Sequence, residues 1–135
     1  MNRENILKVA DAIENATLAK EQGLGFNMPD FFAEDRYDPT GHDHTGHECG
    51  TTACIAGWTV AMEVGKKIQN MTTTEIRTTA QRILGLSDSE VSDLFYAYGS
   101  LRFIGHIKPK EAATVLRHFA KTGYVDWLIL EEEAA

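Results

Sequence analysis

The chain has 135 residues, of which 43% are hydrophobic, so it can bury the core of one domain, residues 1–135, without disulfides. Its net charge of -7 and isoelectric point near 5.1 argue against the broadly basic surface that binds nucleic acids or anionic lipids non-specifically. The sequence has no signal-peptide core, no apolar run of the ~18 residues that span a membrane, and only two cysteines. We therefore expect a cytoplasmic protein with reduced thiols.

The first predicted helix runs from about Arg3 to Lys20 and begins with Asn2 as its N-cap. Gly23 and Gly25 end it. The stretch that follows, as far as Gly50, shows neither helical nor strand periodicity, so we predict a long ordered loop there. Its aromatic residues are expected to pin the loop to the core, and they are Phe26, Phe31, Phe32 and Tyr37.

A second helix is predicted from about Thr52 to Gln69, where small residues at its start allow another helix to come close. The third and fourth predicted helices each start with a capping box, in which a hydroxyl residue and a glutamate three positions later satisfy backbone N–H groups. The two boxes are Thr72 with Glu75 and Ser87 with Glu90, and the two helices end at Gly85 and Gly99.

A fifth helix is predicted to begin at Pro109 and to close at Gly123. The apolar run from Tyr124 to Leu130 favours a last helical turn, capped by Asp126, over a short strand. Together these elements predict an all-α fold, namely a small orthogonal bundle of about five helices with one long ordered loop.

The chemically most distinctive stretch is GHDHTGHECGTTAC, which places five candidate metal ligands close together in sequence. Zinc binds imidazole nitrogen and thiolate sulfur in a tetrahedron, so the stretch permits a zinc site. The C-x4-C spacing is looser than a C-x2-C knuckle, and solvated histidines beside buried thiols are the alternative. The candidate ligands are His42, His44, His47, Cys49 and Cys54.

A weaker hypothesis uses Cys54 as a nucleophile, because the start of a helix can lower the pKa of a thiol. The base would then be His47, His106 or His118. The candidate catalytic residues are Cys54 and His118. No short signature of known catalytic cysteines surrounds Cys54. The alternative is a cysteine packed as a small hydrophobe, so we lean towards a protein that is not an enzyme.

The string CGTTACIAGW, from Cys49 to Trp58, resembles a motif of small proteins found in bacteria and their phages, a group without an assigned biochemical function. The resemblance extends over the segments 5–14, 83–95 and 108–127, and it implies a shared fold and no enzyme class. The three histidines are not part of the motif. Without metal, the same turn can start a helix through Gly50 and a threonine cap, and Trp58 would then anchor the long loop.

A basic stripe is also predicted on the fifth helix, where Lys110, Arg117 and Lys121 lie on the face opposite the apolar one. A solvated helix face is its ordinary explanation.

The function predicted from these features is that of a small accessory or adaptor protein, of bacterial or phage origin, that binds another macromolecule. We expect the partner to be a protein, with no membrane association and no direct binding of nucleic acid. The segment from Met28 to Cys54 is the predicted recognition surface, with Phe31, Phe32, Tyr37 and Trp58 as its binding residues. A zinc-binding protein is the alternative, and a cysteine-dependent enzyme is the weaker one.

Overall fold

The computed structural model describes residues 1–28, 52–101 and 103–134, and this part of the chain has an all-α fold, as predicted. The predicted long loop lies outside the described residues from 29 to 51. The described helices are α1 (Arg3–Glu14), α2 (Thr17–Gln22), α3 (Ile55–Val64), α4 (Thr73–Leu84), α5 (Asp88–Phe95), α6 (Pro109–Thr122) and α7 (Ile129–Ala134), with short 3-10 helices at Gly65–Asn70 and Ile104–His106.

The first predicted helix is in fact two helices. Asn2 caps α1 as predicted, since its side chain accepts a hydrogen bond from the backbone N–H of Asn5. The helix stops at Glu14 because Ala16 takes a left-handed conformation, with φ at 52°, before α2 begins. A non-glycine residue in this conformation has no clear sequence signal. The apolar periodicity therefore predicts one continuous helix where the structure has two.

The second predicted helix is shorter than expected at both ends. Thr52 and Ala53 form the strand β2 (Thr52–Ala53), which pairs in parallel with β1 (Gly25–Phe26). Gly65 has a φ of 63° and ends α3, after which the chain continues as a 3-10 helix to Asn70. The small residues at the start of α3 are buried, and α3 packs most closely on α4.

Both predicted capping boxes are present. At α4, the Thr72 hydroxyl accepts from the N–H of Glu75, and the Glu75 carboxylate accepts from the N–H of Thr72. Hydrogen bonds from Thr72 to the Glu75 carboxylate, first the one from the Thr72 backbone N–H and then one from its side chain, lower the pKa of Glu75 below its ordinary value. Ser87 and Glu90 repeat the pattern at α5.

The C-terminal helices also follow the prediction. Pro109 is the first residue of α6, and Gly123 ends it with a φ of 83°. The Asp126 carboxylate accepts a hydrogen bond from the N–H of Leu128 just before α7. The chain end is therefore helical and does not form the short strand that was the alternative. The core forms where α6 packs against α1 and where α3 packs against α4. Its largest fully buried side chains include Trp58, Phe95, Phe119, Ile6, Ile13, Met28, Ile55, Leu94 and Leu116.

Candidate functional site

Cys54 is the N-cap residue of α3 and is completely buried. It therefore lies one position before the helical turn in which the thiol hypothesis put it. A nucleophile must reach its substrate, and this side chain has no exposed surface in the structure. The other candidate, His118, lies on α6 and is half-buried. The placement of Cys54 is that of a small apolar residue in the core.

Trp58 lies one turn further along α3 and is also buried, with 1% of its surface exposed. Its indole N–H donates a hydrogen bond of 2.9 Å to the backbone carbonyl of Gly25. Trp58 is predicted to anchor the long loop, and its hydrogen bond to Gly25 lies where this loop starts. The same burial leaves Trp58 almost no surface that a partner could contact.

The chain segments on either side of residues 29–51 lie next to each other. Gly25 pairs with Thr52 and Phe26 pairs with Ala53 in the parallel bridge between β1 and β2. The N–H of Asn27 extends this pairing with a 2.9 Å hydrogen bond to the carbonyl of Ala53. The two ends of the predicted recognition segment are thus fixed against the start of α3.

The predicted binding residues Phe31, Phe32 and Tyr37 lie outside the described residues. So do four of the five predicted zinc ligands, His42, His44, His47 and Cys49. In the part of the chain that the structure describes, no three His, Cys, Asp or Glu side chains are grouped to hold a metal ion. The zinc site stays a prediction, which metal analysis of protein purified without a histidine tag would test.

The predicted basic stripe on α6 is partly neutralised within the fold. Arg117 donates to the carboxylates of Asp11 and Glu14 on α1, and the contact with Asp11 is 2.8 Å long. These two hydrogen bonds, Asp11 first, raise the pKa of the Arg117 guanidinium. Arg117 therefore joins α1 to α6, and only Lys110 and Lys121 of the predicted stripe stay exposed without such a contact.

A shallow cavity of about 280 Å³ lies between α1, α3 and α4. Its lining includes Asn5, Thr59 and Met62. The Asn5 amide donates to the carbonyl of Ile83, and the Thr59 hydroxyl donates to that of Ile55. The volume is at the low end for small-molecule sites, and the polar groups of Asn5 and Thr59 already have partners within the fold.

The connection between α5 and α6, described at residues 96–101 and 103–108, carries large apolar side chains on the surface. We call it the apolar connection. Tyr98, Leu101 and Phe103 are 63%, 76% and 78% exposed, whereas most large apolar side chains of the described residues are buried. Exposed apolar side chains in a cluster are typical of interaction sites. The predicted fourth helix extends to Gly99 and so includes Tyr98, whereas α5 ends at Phe95 and leaves Tyr98 in the connection.

The exposed tyrosine is held in place by its neighbours. Tyr98 stacks on Tyr96 with ring centroids 5.9 Å apart, and the Tyr96 hydroxyl accepts a hydrogen bond from Arg77 on α4. Ala97, between the two tyrosines, is buried and has a φ of 53°. Such a conformation costs a non-glycine residue ~1–2 kcal/mol and directs the chain away from the end of α5.

At the other end of the connection, Phe103 meets the ring of His106 edge to face at a centroid distance of 5.7 Å. Ile107 then returns to the core, with 4% of its surface exposed. The exposed segment is thus bounded by Ala97 and Ile107, both buried. Tyr98 and Phe103 have defined positions between them.

Comparisons with protein-family models, with curated proteins and with solved structures gave no match for this chain. The resemblance to small bacterial and phage proteins stays a prediction from the Cys49–Trp58 motif. Within the described ranges, no helix combines the length and the apolar character that crossing a bilayer requires.

Proposed function

We propose that this protein is a small cytosolic accessory protein, of bacterial or phage origin, that acts by binding another protein. The observation that supports this proposal is the apolar connection, with Tyr98, Leu101 and Phe103 exposed on a fold whose other large apolar side chains are mostly buried. Transferring one such side chain from water to an interface contributes ~1.5–3 kcal/mol. Aromatic side chains that are already oriented lose little entropy on binding.

The described residues support a binding role better than a catalytic one. The only described cysteine is buried, and the cavity between α1, α3 and α4 is shallow. The recognition surface proposed from the sequence, Met28 to Cys54, starts and ends in described residues but otherwise lies beyond them. The apolar connection is a separate surface that the proposal adds.

Site-specific photo-crosslinking tests the proposal. A benzophenone amino acid replaces Leu101 in one version of the chain and Tyr124 in another, since Tyr124 is equally exposed, at 75%, but follows α6. In a bacterial lysate we expect a discrete crosslinked protein from position 101, absent from position 124 and competed away by excess unmodified chain. Equal products at both positions, or none at position 101, would contradict the proposal.

A further inference from the structure

We propose that the partner of the apolar connection is an acidic segment of a protein, carrying at least one apolar side chain among its carboxylates. This inference rests on the proposed function and adds the chemistry of the partner. Its basis is the combination of exposed apolar side chains with a local reversal of charge.

The charge along the sequence of the connection is opposite to that of the whole chain. The chain carries 20 acidic residues against 13 basic ones, yet no acidic residue lies between Asp93 and Glu111. Lys108 and Lys110, at the start of α6, are exposed and make no ion pair within the described ranges. The Glu111 carboxylate accepts a 3.0 Å hydrogen bond from the backbone N–H of Lys108.

This local positive charge favours an acidic partner and draws its carboxylates towards Lys108 and Lys110. An acidic segment is repelled by most of a surface with a net charge of -7 and is attracted beside Lys108 and Lys110. Lys108 and Lys110 attract carboxylates at short range, and the attraction strengthens where binding displaces water from the surface. The charge thus guides the encounter, whereas Tyr98, Leu101 and Phe103 supply the buried area.

A protein segment fits these features better than a nucleic acid or a membrane. Nucleic-acid affinity depends on many phosphate contacts, and the net charge of -7 opposes them. An anionic membrane attracts basic side chains near its surface, but the net charge of -7 opposes this attraction. A polypeptide can place a few carboxylates at Lys108 and Lys110 and still keep other charges away from the acidic remainder.

Selection from a displayed library of random 12-residue peptides tests this inference, with the full chain immobilised at its C-terminus. We expect enrichment of peptides that combine several Asp or Glu residues with a Phe, Leu or Trp. Anisotropy of the labelled peptides should then show that the double variant Leu101→Ser/Phe103→Ser binds them at least about tenfold more weakly, equivalent to ~1.4 kcal/mol. Replacing the peptide carboxylates with amides should weaken binding by about the same factor.

Two matched variants serve as controls. Lys108→Gln/Lys110→Gln should weaken binding and reduce its dependence on salt, whereas Lys66→Gln/Lys67→Gln, which removes two exposed lysines elsewhere, should leave it within about twofold. Tyr124→Ser should likewise have no effect, although Tyr124 is as exposed as Phe103. Circular dichroism of each variant should match that of the unchanged chain, because all these positions are on the surface.

The outcomes separate the two proposals. Enriched peptides that depend on Leu101 and Phe103 but lack carboxylates would overturn the acidic partner and leave the binding function standing. No enrichment, or peptides indifferent to the Leu101→Ser/Phe103→Ser variant, would overturn both the partner and this surface. Tighter binding of a single-stranded oligonucleotide or of phosphatidylserine vesicles at physiological salt would replace the acidic protein with that ligand.

Discussion

The start of α3 and the apolar connection use aromatic side chains in opposite ways. At the start of α3, Trp58 is buried and its indole N–H is bonded to the carbonyl of Gly25. In the apolar connection, Tyr98 and Phe103 are mostly exposed. Tyr98 stacks on Tyr96, and Phe103 meets the ring of His106. The first region holds two distant parts of the chain together, whereas the second presents apolar surface to the solvent.

The difference shows that aromatic residues in irregular segments have no fixed role. Burial is decided by whether the fold brings a second segment over the ring. At the start of α3 that segment is β1, which pairs with β2 and whose Gly25 carbonyl accepts the hydrogen bond from Trp58. No such pairing involves residues 96–108 within the described part of the chain.

The largest expected effect is the difference in stability between a variant at the start of α3 and a variant in the apolar connection. Trp58→Ala should lower the free energy of unfolding by ~3–5 kcal/mol, because it leaves a cavity in the core. Phe103→Ala should change it by less than ~0.5 kcal/mol, since the ring is exposed. Urea denaturation followed by circular dichroism measures both. Comparable losses from the two variants would show that the connection is part of the core.

A smaller effect isolates the hydrogen bond of Trp58. Trp58→Phe keeps an aromatic ring but leaves the buried carbonyl of Gly25 without its donor, at an expected cost of ~1–3 kcal/mol. Trp127→Phe is the matched variant, because the Trp127 indole donates to the carbonyl of Asp93 in a partly buried position. Water can reach that carbonyl more easily, so Trp127→Phe should cost less. The reverse order in urea denaturation would mean that the Trp58 bond is not the anchor.

The ion pairs between α1 and α6 should contribute less to the free energy of unfolding than the Trp58 side chain or its hydrogen bond. Arg117→Met removes the contacts with Asp11 and Glu14, but the Arg117 side chain is 39% exposed. Solvent screening then limits the expected loss to ~1 kcal/mol or less, and ~1 M salt should reduce the difference further. A salt-independent loss of several kcal/mol in denaturation experiments would contradict this and assign the contribution of Arg117 to packing of its side chain and not to charge.

The smallest expected effect concerns the backbone of the connection. Ala97→Gly should raise the free energy of unfolding by ~0.5 kcal/mol, because glycine adopts a positive φ without strain. Ala16→Gly is the control, since Ala16 has almost the same φ of 52° and is exposed. A gain at Ala16 with a loss at Ala97 would show that the buried methyl group of Ala97 outweighs its strain. Thermal unfolding monitored by calorimetry resolves differences of this size.

Much of the fold follows from local signals in the sequence. The capping boxes at Thr72 and Ser87 satisfy backbone N–H groups within one helical turn. Pro109 removes one such N–H at the start of α6, so all three signals act locally and are visible without tertiary information. The break at Ala16 is different, because alanine favours helix and nothing local in the sequence marks the left-handed conformation of this exposed residue.

The candidate surface was less predictable than the helices. Periodicity identifies the buried face of a helix, but it does not tell whether a connection such as 96–108 is covered. The anchoring role of Trp58 can be predicted from the size of its side chain and from the long loop that precedes it. The exposure of Leu101 and Phe103 depends on which other segments pass over them, and only the three-dimensional arrangement shows this.

The parallel bridge between β1 and β2 also makes the protein a natural scaffold for inserted sequences. In this parallel bridge Thr52 lies about 4.8 Å from Gly25, so any chain that replaces residues 29–51 runs from Met28 back to a fixed point beside Gly25. Doubling the length of a flexible insert there adds only ~0.6 kcal/mol of closure entropy. Libraries of loops grafted between Met28 and Thr52 would therefore differ in what they recognise and hardly in the stability of the helices that carry them.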